Sequence, residues 1–214
     1  EAIDLYVDLG LKTIHLRPIN PFGYAQRLNE KIAYTAEQFL EFYANSIDYL
    51  IDKNNGGVEI AEKTAQIFLK KIIQKRDSNY LDLRSPCGAG IGQVAYNYDG
   101  NIYPCDEARM VQATGDDAFL LGNVKDSSYQ EVMGHETVKN LCVASCLEGL
   151  TGCHDCAFKP YCGVCPVYNY VSMGSIFGNM PSDERCKMYM GIQDILFERM
   201  REHEGVFTSW VRTD

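Results

Sequence analysis

The sequence predicts an α+β fold in two parts: the C-terminal strand and helices of a partial (β/α) barrel over residues 1–80, then a cysteine-rich domain with a β-hairpin and helices over residues 81–214. Three observations predict it. An alternating run followed by two amphipathic stretches fills the first part. All nine cysteines lie in the second. Two further alternating runs meet there around Asp99-Gly100, a dipeptide that supplies positive φ at low cost.

In chain order, EAIDLYVDLG crowds Ile3, Leu5, Tyr6 and Leu9 ahead of Gly10 and reads as a short helix. KTIHLRP alternates Ile14 and Leu16 with polar neighbours as a strand does, and ends in the loop PINPFG. TAEQFLEFYANSIDYLID places Phe39, Leu40, Tyr43, Ile47, Leu50 and Ile51 on one helical face, with Thr35 and Gln38 as a capping box and NNGG as the stop. A second amphipathic helix, from about Ile60 to Lys75, carries Ala61, Ala65, Phe68, Leu69, Ile72 and Ile73 on its stripe. Beyond residue 80 come the hairpin IGQVAYNYDGNIYP, the segment LLGNV, a helix from about Ser128 to Val143, a knot of cysteines, and a last helix from about Glu184 to Arg201. This second part is poor in long regular elements, so its cysteines are expected to staple it.

Charge and hydropathy narrow the function classes. With 29 acidic against 20 basic side chains and a formal charge of −9, the chain lacks the clustered bases that nucleic-acid phosphates require. No apolar run reaches the roughly 18 residues of a membrane span, and no signal peptide opens the chain, so a cytoplasmic location is expected. The absence of a starting Met, together with the immediate helical pattern, reads as a piece of a longer protein with further motifs upstream of Glu1.

The segment CHDCAFKPYCGVCP holds four of the nine cysteines within residues 153–166. Disulfides, structural zinc and iron–sulfur are the three means by which such thiols staple a chain. An odd cysteine count without a secretion signal disfavours disulfides. Zinc knuckles at Cys153/Cys156 and Cys162/Cys165 are separated by only five residues, against roughly 12 to 20 in a zinc ribbon. A [4Fe–4S] cubane takes soft thiolates from positions far apart in sequence, and Cys87, Cys105 and Cys186 extend the series accordingly.

The whole spacing is Cys87, twelve residues, Gly100, four, Cys105; then Cys153, two, Cys156, five, Cys162, two, Cys165; then Cys186. It resembles the seven-cysteine SPASM domain that follows the barrel in radical S-adenosylmethionine (radical SAM) enzymes modifying peptides and proteins. CAFKPYCGVCPVYNY and ERCKMYMGIQD are similar to the His-Xaa-Ser system radical SAM maturase, with anaerobic sulfatase-maturating enzymes as more distant relatives. The resemblance implies two auxiliary [4Fe–4S] clusters, the first bound by Cys87, Cys105 and Cys165 and the second by Cys153, Cys156, Cys162 and Cys186. It also implies S-adenosylmethionine and a further [4Fe–4S] cluster in the full-length protein, an oxidoreductase chemistry, a peptide or protein substrate such as a His-Xaa-Ser repeat peptide, and a reductant protein as partner.

The sequence departs from the family pattern in two places. CGVC has two intervening residues where many relatives have three, and GAGIGQ follows Cys87 without the extra cysteine of the sulfatase-maturating enzymes. The first cluster therefore has an open iron or takes a fourth ligand from Cys142 or Cys146, which read equally as buried small hydrophobes one helical turn apart. CVASCLEG is a near miss for the CxxxCxxC radical-cluster loop, with Gly149 in the third cysteine's place, so the chain alone is expected to be inactive.

Several side chains carry two readings. Asp106 corresponds to the proposed base of sulfatase-maturating enzymes, or caps the helix beginning EARM. Arg17, at a strand end, meets the cosubstrate S-adenosylmethionine or pairs with Glu41. His154 is expected to face solvent or the sulfurs without ligating. Tyr96, Tyr98, Tyr103, Tyr161, Tyr168 and Tyr170 read as hairpin and core aromatics. The alternative to a maturase is a zinc-stabilised, cysteine-rich binding scaffold without catalytic activity.

Overall fold

The structure, a computed structural model, describes every residue except 21, 24, 26, 27, 29, 30, 213 and 214. Pro21 of the expected PINPFG loop thus lies outside the described residues. The chain forms two compact units, one of residues 1–18, 34–78 and 184–214, the other of residues 19–33 and 79–183. The sequence-based boundary at residue 80 keeps the C-terminal helices with the cysteines; in the structure they pack in the same unit as the N-terminal elements.

The first unit is built on a parallel strand pair bridged by a helix. After α1 (Ala2–Asp8), β1 (Thr13–Ile14) pairs with β2 (Ala61–Glu62) in the register Thr13↔Ala61 and Ile14↔Glu62. The crossover helix α2 (Ala36–Asn55) starts on the expected capping box: Thr35 Oγ1 accepts from Gln38 N at 3.3 Å, and Thr35 N donates to Gln38 Oε1 at 2.9 Å. Phe39, Tyr43, Ile47, Leu50 and Ile51 are buried as their spacing predicts.

Two expectations are corrected here. The strand predicted over KTIHLRP is only two residues long, because Leu16 N donates to the Glu62 carboxylate at 2.9 Å instead of continuing a ladder. The second helix, α3 (Lys63–Gln74), begins three residues later than predicted, since Ala61 and Glu62 are spent on β2. Its residues Thr64 to Leu69 are all buried, whereas Ile73 of the expected stripe is exposed. The burial is all-round because α8 (Glu184–Glu202) packs against α3, and Gln66 Nε2 donates to Trp210 O at 2.8 Å from the last helix, α9 (Glu204–Trp210). The same α8 lies along α2, close enough that a Cβ at Gly191 would stand 2.4 Å from Leu40 Cδ1.

The second unit carries a three-stranded antiparallel sheet, β3 (Ala95–Tyr96), β4 (Asn101–Tyr103) and β5 (Gly122–Asn123), in that order. The predicted hairpin turns at Gly100, φ +87°, with LLGNV supplying β5. Around it stand α4 (Asp106–Gln112), α5 (Tyr129–Met133), α6 (Glu136–Ala144) and α7 (Pro166–Met173). The single helix predicted from Ser128 to Val143 is broken: Gly134 closes α5, and His135 Nδ1 accepts from Thr137 N at 3.2 Å to open α6. Among the described residues no helix is long and apolar enough to cross a membrane.

Glu62 joins the elements of the first unit. Fully buried, it accepts from Leu16 N (2.9 Å), Ala65 N (2.6 Å) and the buried Tyr43 hydroxyl (2.8 Å). Burial raises its pKa above the usual glutamate value, with the donated hydrogen bonds opposing. The folded state therefore holds this proton more tightly than the unfolded chain, so the contribution to stability is full at low pH and declines as pH rises through the folded pKa. Raising the pH from about 4 to 7, across and above the ordinary glutamate range, should lower the urea midpoint of the wild type relative to that of Glu62→Gln; a constant difference between the two would contradict this account.

Candidate metal centre

In the second unit Cys87, Cys105 and Cys165 share one buried core with Phe22, Val111, Phe119 and Leu141. Different local devices bring each thiol there. Cys105 is the N-cap of α4, its Sγ accepting from Ala108 N at 3.4 Å. Cys165 is the N-cap of α7, its Sγ accepting from Tyr168 N at 3.4 Å, with Pro166 opening the helix behind it. Cys87 is held through its backbone, its N–H donating to the buried Ser145 Oγ at 2.9 Å.

That serine belongs to a staple the sequence did not announce. Ser145 Oγ reaches Leu141 O at 2.7 Å, and Ser85 Oγ receives Leu147 N at 3.1 Å while contacting Ser145 O at 3.3 Å. Segments 85–87 and 145–147 are thereby stitched side by side. The CGVC turn closes from a third direction: a Cβ at Gly163 would lie 2.4 Å from Arg84 N and 2.6 Å from the Leu83 carbonyl carbon. Only glycine lets that turn rest on the backbone ahead of Cys87.

Burial pushes the Cys105 thiol well above its ordinary pKa, and Cys165, Glu107 and Cys87 add to the effect by charge, against the opposing Ala108 N–H. Burial of this kind disfavours the Cys105 thiolate unless a cation sits beside it. Two helix N-termini donating N–H bonds to sulfur provide the complementary setting for thiolates. A set of soft donors, sequestered from water and hydrogen-bonded at sulfur, fits a thiolate-ligated iron–sulfur cluster. Among the described residues no three His, Cys, Asp or Glu side chains converge on a single-ion site.

The knot is laid out in consecutive turns. Cys156 N donates to Cys153 O at 3.1 Å, Cys162 N to Phe158 O at 3.1 Å, and Lys159 Nζ to His154 O at 2.8 Å. Cys153 is buried; Cys156 and Cys162 are half-buried. Gly152, at φ +81°, brings the knot against Pro181, whose Cγ would lie 2.8 Å from an added Cβ. His154 is exposed beside Asp155, at 3.6 Å. Cys186 belongs to the first unit, half-buried on α8 with its Sγ 3.7 Å from Met190 Sδ.

The remaining candidates fall elsewhere. Leu141 and Ser145 face the thiol core; Cys142 follows Leu141 on α6 and Cys146 lies just beyond the helix end. Both are half-buried, and the Cys146 thiol donates to Cys142 O at 3.3 Å. Asp106 is corrected in its structural role: Cys105 is the cap, while Asp106 is 71% exposed in the first turn and paired with Arg109 at 3.1 Å. Arg17 is exposed beyond β1. Of the tyrosines, Tyr103 is buried and donates to Asp117 at 3.3 Å, its pKa pushed up to about 12 by burial and by that carboxylate.

Comparisons with known proteins bear on the same stretch of chain and on its fold. Residues 87–166 match the SPASM family, an iron–sulfur cluster-binding domain. The fold is shared with solved structures of anSMEcpe, an anaerobic sulfatase-maturating enzyme. Native anSMEcpe with bound AdoMet aligns at a TM-score of 0.66 and 17% identity over 94% of this chain and 51% of that one. A hexahistidine-tagged form with AdoMet gives 0.69 and 16% over 98% and 53%. The native enzyme with AdoMet and the Kp18Cys peptide gives 0.64 and 17% over 94% and 52%. The chain thus spans about half the length of these structures. No curated protein matches it.

The closeness of Gly163 to backbone generates a test. Gly163→Ala should destabilise the chain by about 1–3 kcal/mol through overpacking, seen as a lowered unfolding midpoint, with Gly149→Ala, whose Cβ meets nothing within 4 Å, as the neutral control.

Proposed function

We propose that this chain is the C-terminal portion of a radical SAM peptide or protein maturase, and that its cysteine-rich region holds auxiliary iron–sulfur clusters. The observation that carries the reading is the sharing of one buried core by Cys87, Cys105 and Cys165 inside the stretch matching the cluster-binding family. Support for a radical SAM context comes from the shared fold with structures that hold AdoMet, and for a peptide substrate from those that also hold a peptide.

In this reading Cys87, Cys105 and Cys165 hold a first [4Fe–4S] cluster, and Cys153, Cys156, Cys162 and Cys186 a second. Such clusters, when bound, supply one-electron transfer within the protein. The chain's own residues exclude water and orient donors. Phe22, Val111, Phe119 and Leu141 keep the core dry, Ala108 N–H and Tyr168 N–H point at sulfur, and the Ser85–Ser145 stitch fixes the backbone from which Cys87 extends. Residues 1–80, with the parallel β1–α2–β2 unit, form the closing part of the barrel, and Arg17 beyond β1 serves the cosubstrate there. S-adenosylmethionine with its own cluster, a reductant protein and a substrate such as a His-Xaa-Ser repeat peptide complete the system.

Chain purified without oxygen should carry about eight irons and eight sulfides, the sum for two cubanes, and Cys105→Ala should halve both. Zinc without sulfide under the same conditions would replace this reading by a zinc-stabilised scaffold. For the proposed base, Asp106→Asn in the full-length enzyme should abolish peptide modification while sparing reductive cleavage of S-adenosylmethionine; retained turnover would remove Asp106 from the chemistry.

A further inference from the structure

The second unit also holds a cavity of about 290 Å³, lined by Phe22, Gly23, Val111, Thr114, Asp116, Tyr170, Val171 and Gly174. Its size lies at the lower edge of the roughly 300–1,000 Å³ of small-molecule pockets, enough for one side chain but not for a folded partner. Phe22 and Val111 belong to the core that contains the three thiols, and Tyr170 and Val171 pack against it, so the floor of the cavity is continuous with the candidate cluster site. Gly174 of the lining ends α7 at φ +73°, with nothing within 4 Å of a would-be Cβ.

The polar lining is anionic. Asp116 is half-buried; its Oδ1 accepts from Ala118 N at 2.9 Å and its Oδ2 from the Tyr170 hydroxyl at 2.8 Å. Both partners are neutral, and a carboxylate has about four lone-pair sites, so acceptor capacity and a full negative charge remain. Among the described residues no lysine or arginine pairs with Asp116, although nearby Asp106 has Arg109. An anionic ligand would be repelled, and an apolar one would bury the carboxylate without compensation. A cation answers both, and aromatic side chains favour it further, most of all a flat guanidinium. The chain's formal charge of −9 draws cations toward it.

We propose that this cavity is a subsite for one cationic side chain, a guanidinium by preference, of the peptide that the maturase modifies, with Asp116 as the recognising group. The identity of the ligand as part of a peptide rests on the maturase reading; the cation selectivity of the cavity does not.

The test uses two capped amino acids, N-acetyl-arginine methylamide and its citrulline analogue, which has the same shape without the charge. They are titrated by calorimetry into the chain purified without oxygen, at low salt. The arginine probe should bind saturably and at least about fivefold tighter than the citrulline probe, the fold-change expected of a partly exposed ion pair. Asp116→Asn, which still accepts from Tyr170, should erase that preference while leaving iron content and the unfolding midpoint unchanged. Tyr170→Phe keeps the ring and the carboxylate and should retain the preference, guarding against a misfolded Asp116 variant. Equal binding of the two probes, no saturable binding, or a preference that survives Asp116→Asn would overturn the proposal. Failure of the maturase reading would show separately, as absence of iron and sulfide, with the probe selectivity intact.

Discussion

The second unit depends on one close approach, that of the CGVC turn to the backbone just ahead of Cys87. Gly163 rests directly on Leu83 and Arg84, with no room for a Cβ. Next to that contact the Ser85–Ser145 stitch and the Cys87 N–H to Ser145 Oγ bond tie in the end of α6. Segments 83–87, 145–147 and 163 are therefore held together by backbone proximity and buried hydroxyls. Each alone is a short loop with little apolar area to bury, so the meeting point adds to the buried core around Phe22, Val111, Phe119 and Leu141. The thiols of Cys87 and Cys165 leave two of these joined loops, and they share one core with that of Cys105.

What was legible in the sequence follows the range of the forces involved. The capping box at Thr35 and the stripe of α2 are local, set within a few residues, and both appear as expected. The hairpin at Asp99-Gly100 is equally local. β2 was missed because a two-residue strand has no periodicity to detect, and because the burial of Glu62 depends on Tyr43 and Leu16, distant in sequence. The stripe read on α3 holds at Ala61, Ala65, Phe68 and Leu69 and ends before the exposed Ile73, while packing by α8 and Trp210 also buries Thr64, Gln66 and Ile67 outside it. The break at Gly134 and His135 was written in plain residues, yet a continuous apolar pattern across it masked the stop.

The candidate centre divides in the same way. The sequence supplied the cysteines and, through likeness to a family, their grouping; no spacing rule places Cys87 beside Cys165. Capping at Cys105 went unforeseen because the carboxylate one residue later is the commoner cap. Ser145 could not have been found at all, since a serine between two cysteines carries no pattern, and its importance lies entirely in reaching Cys87 from across the fold.

The two sulfur caps carry one more consequence. A helix normally begins on an oxygen acceptor, and a thiol is a weak one. By starting α4 and α7 on Cys105 and Cys165, the chain gives up local helix stability at two places that face one core. Serine at either position would begin the helix at least as well and would lack only softness toward iron. If these two sulfurs hold the proposed cluster, the cap is a concession by folding to coordination chemistry, built into the first turn of each helix.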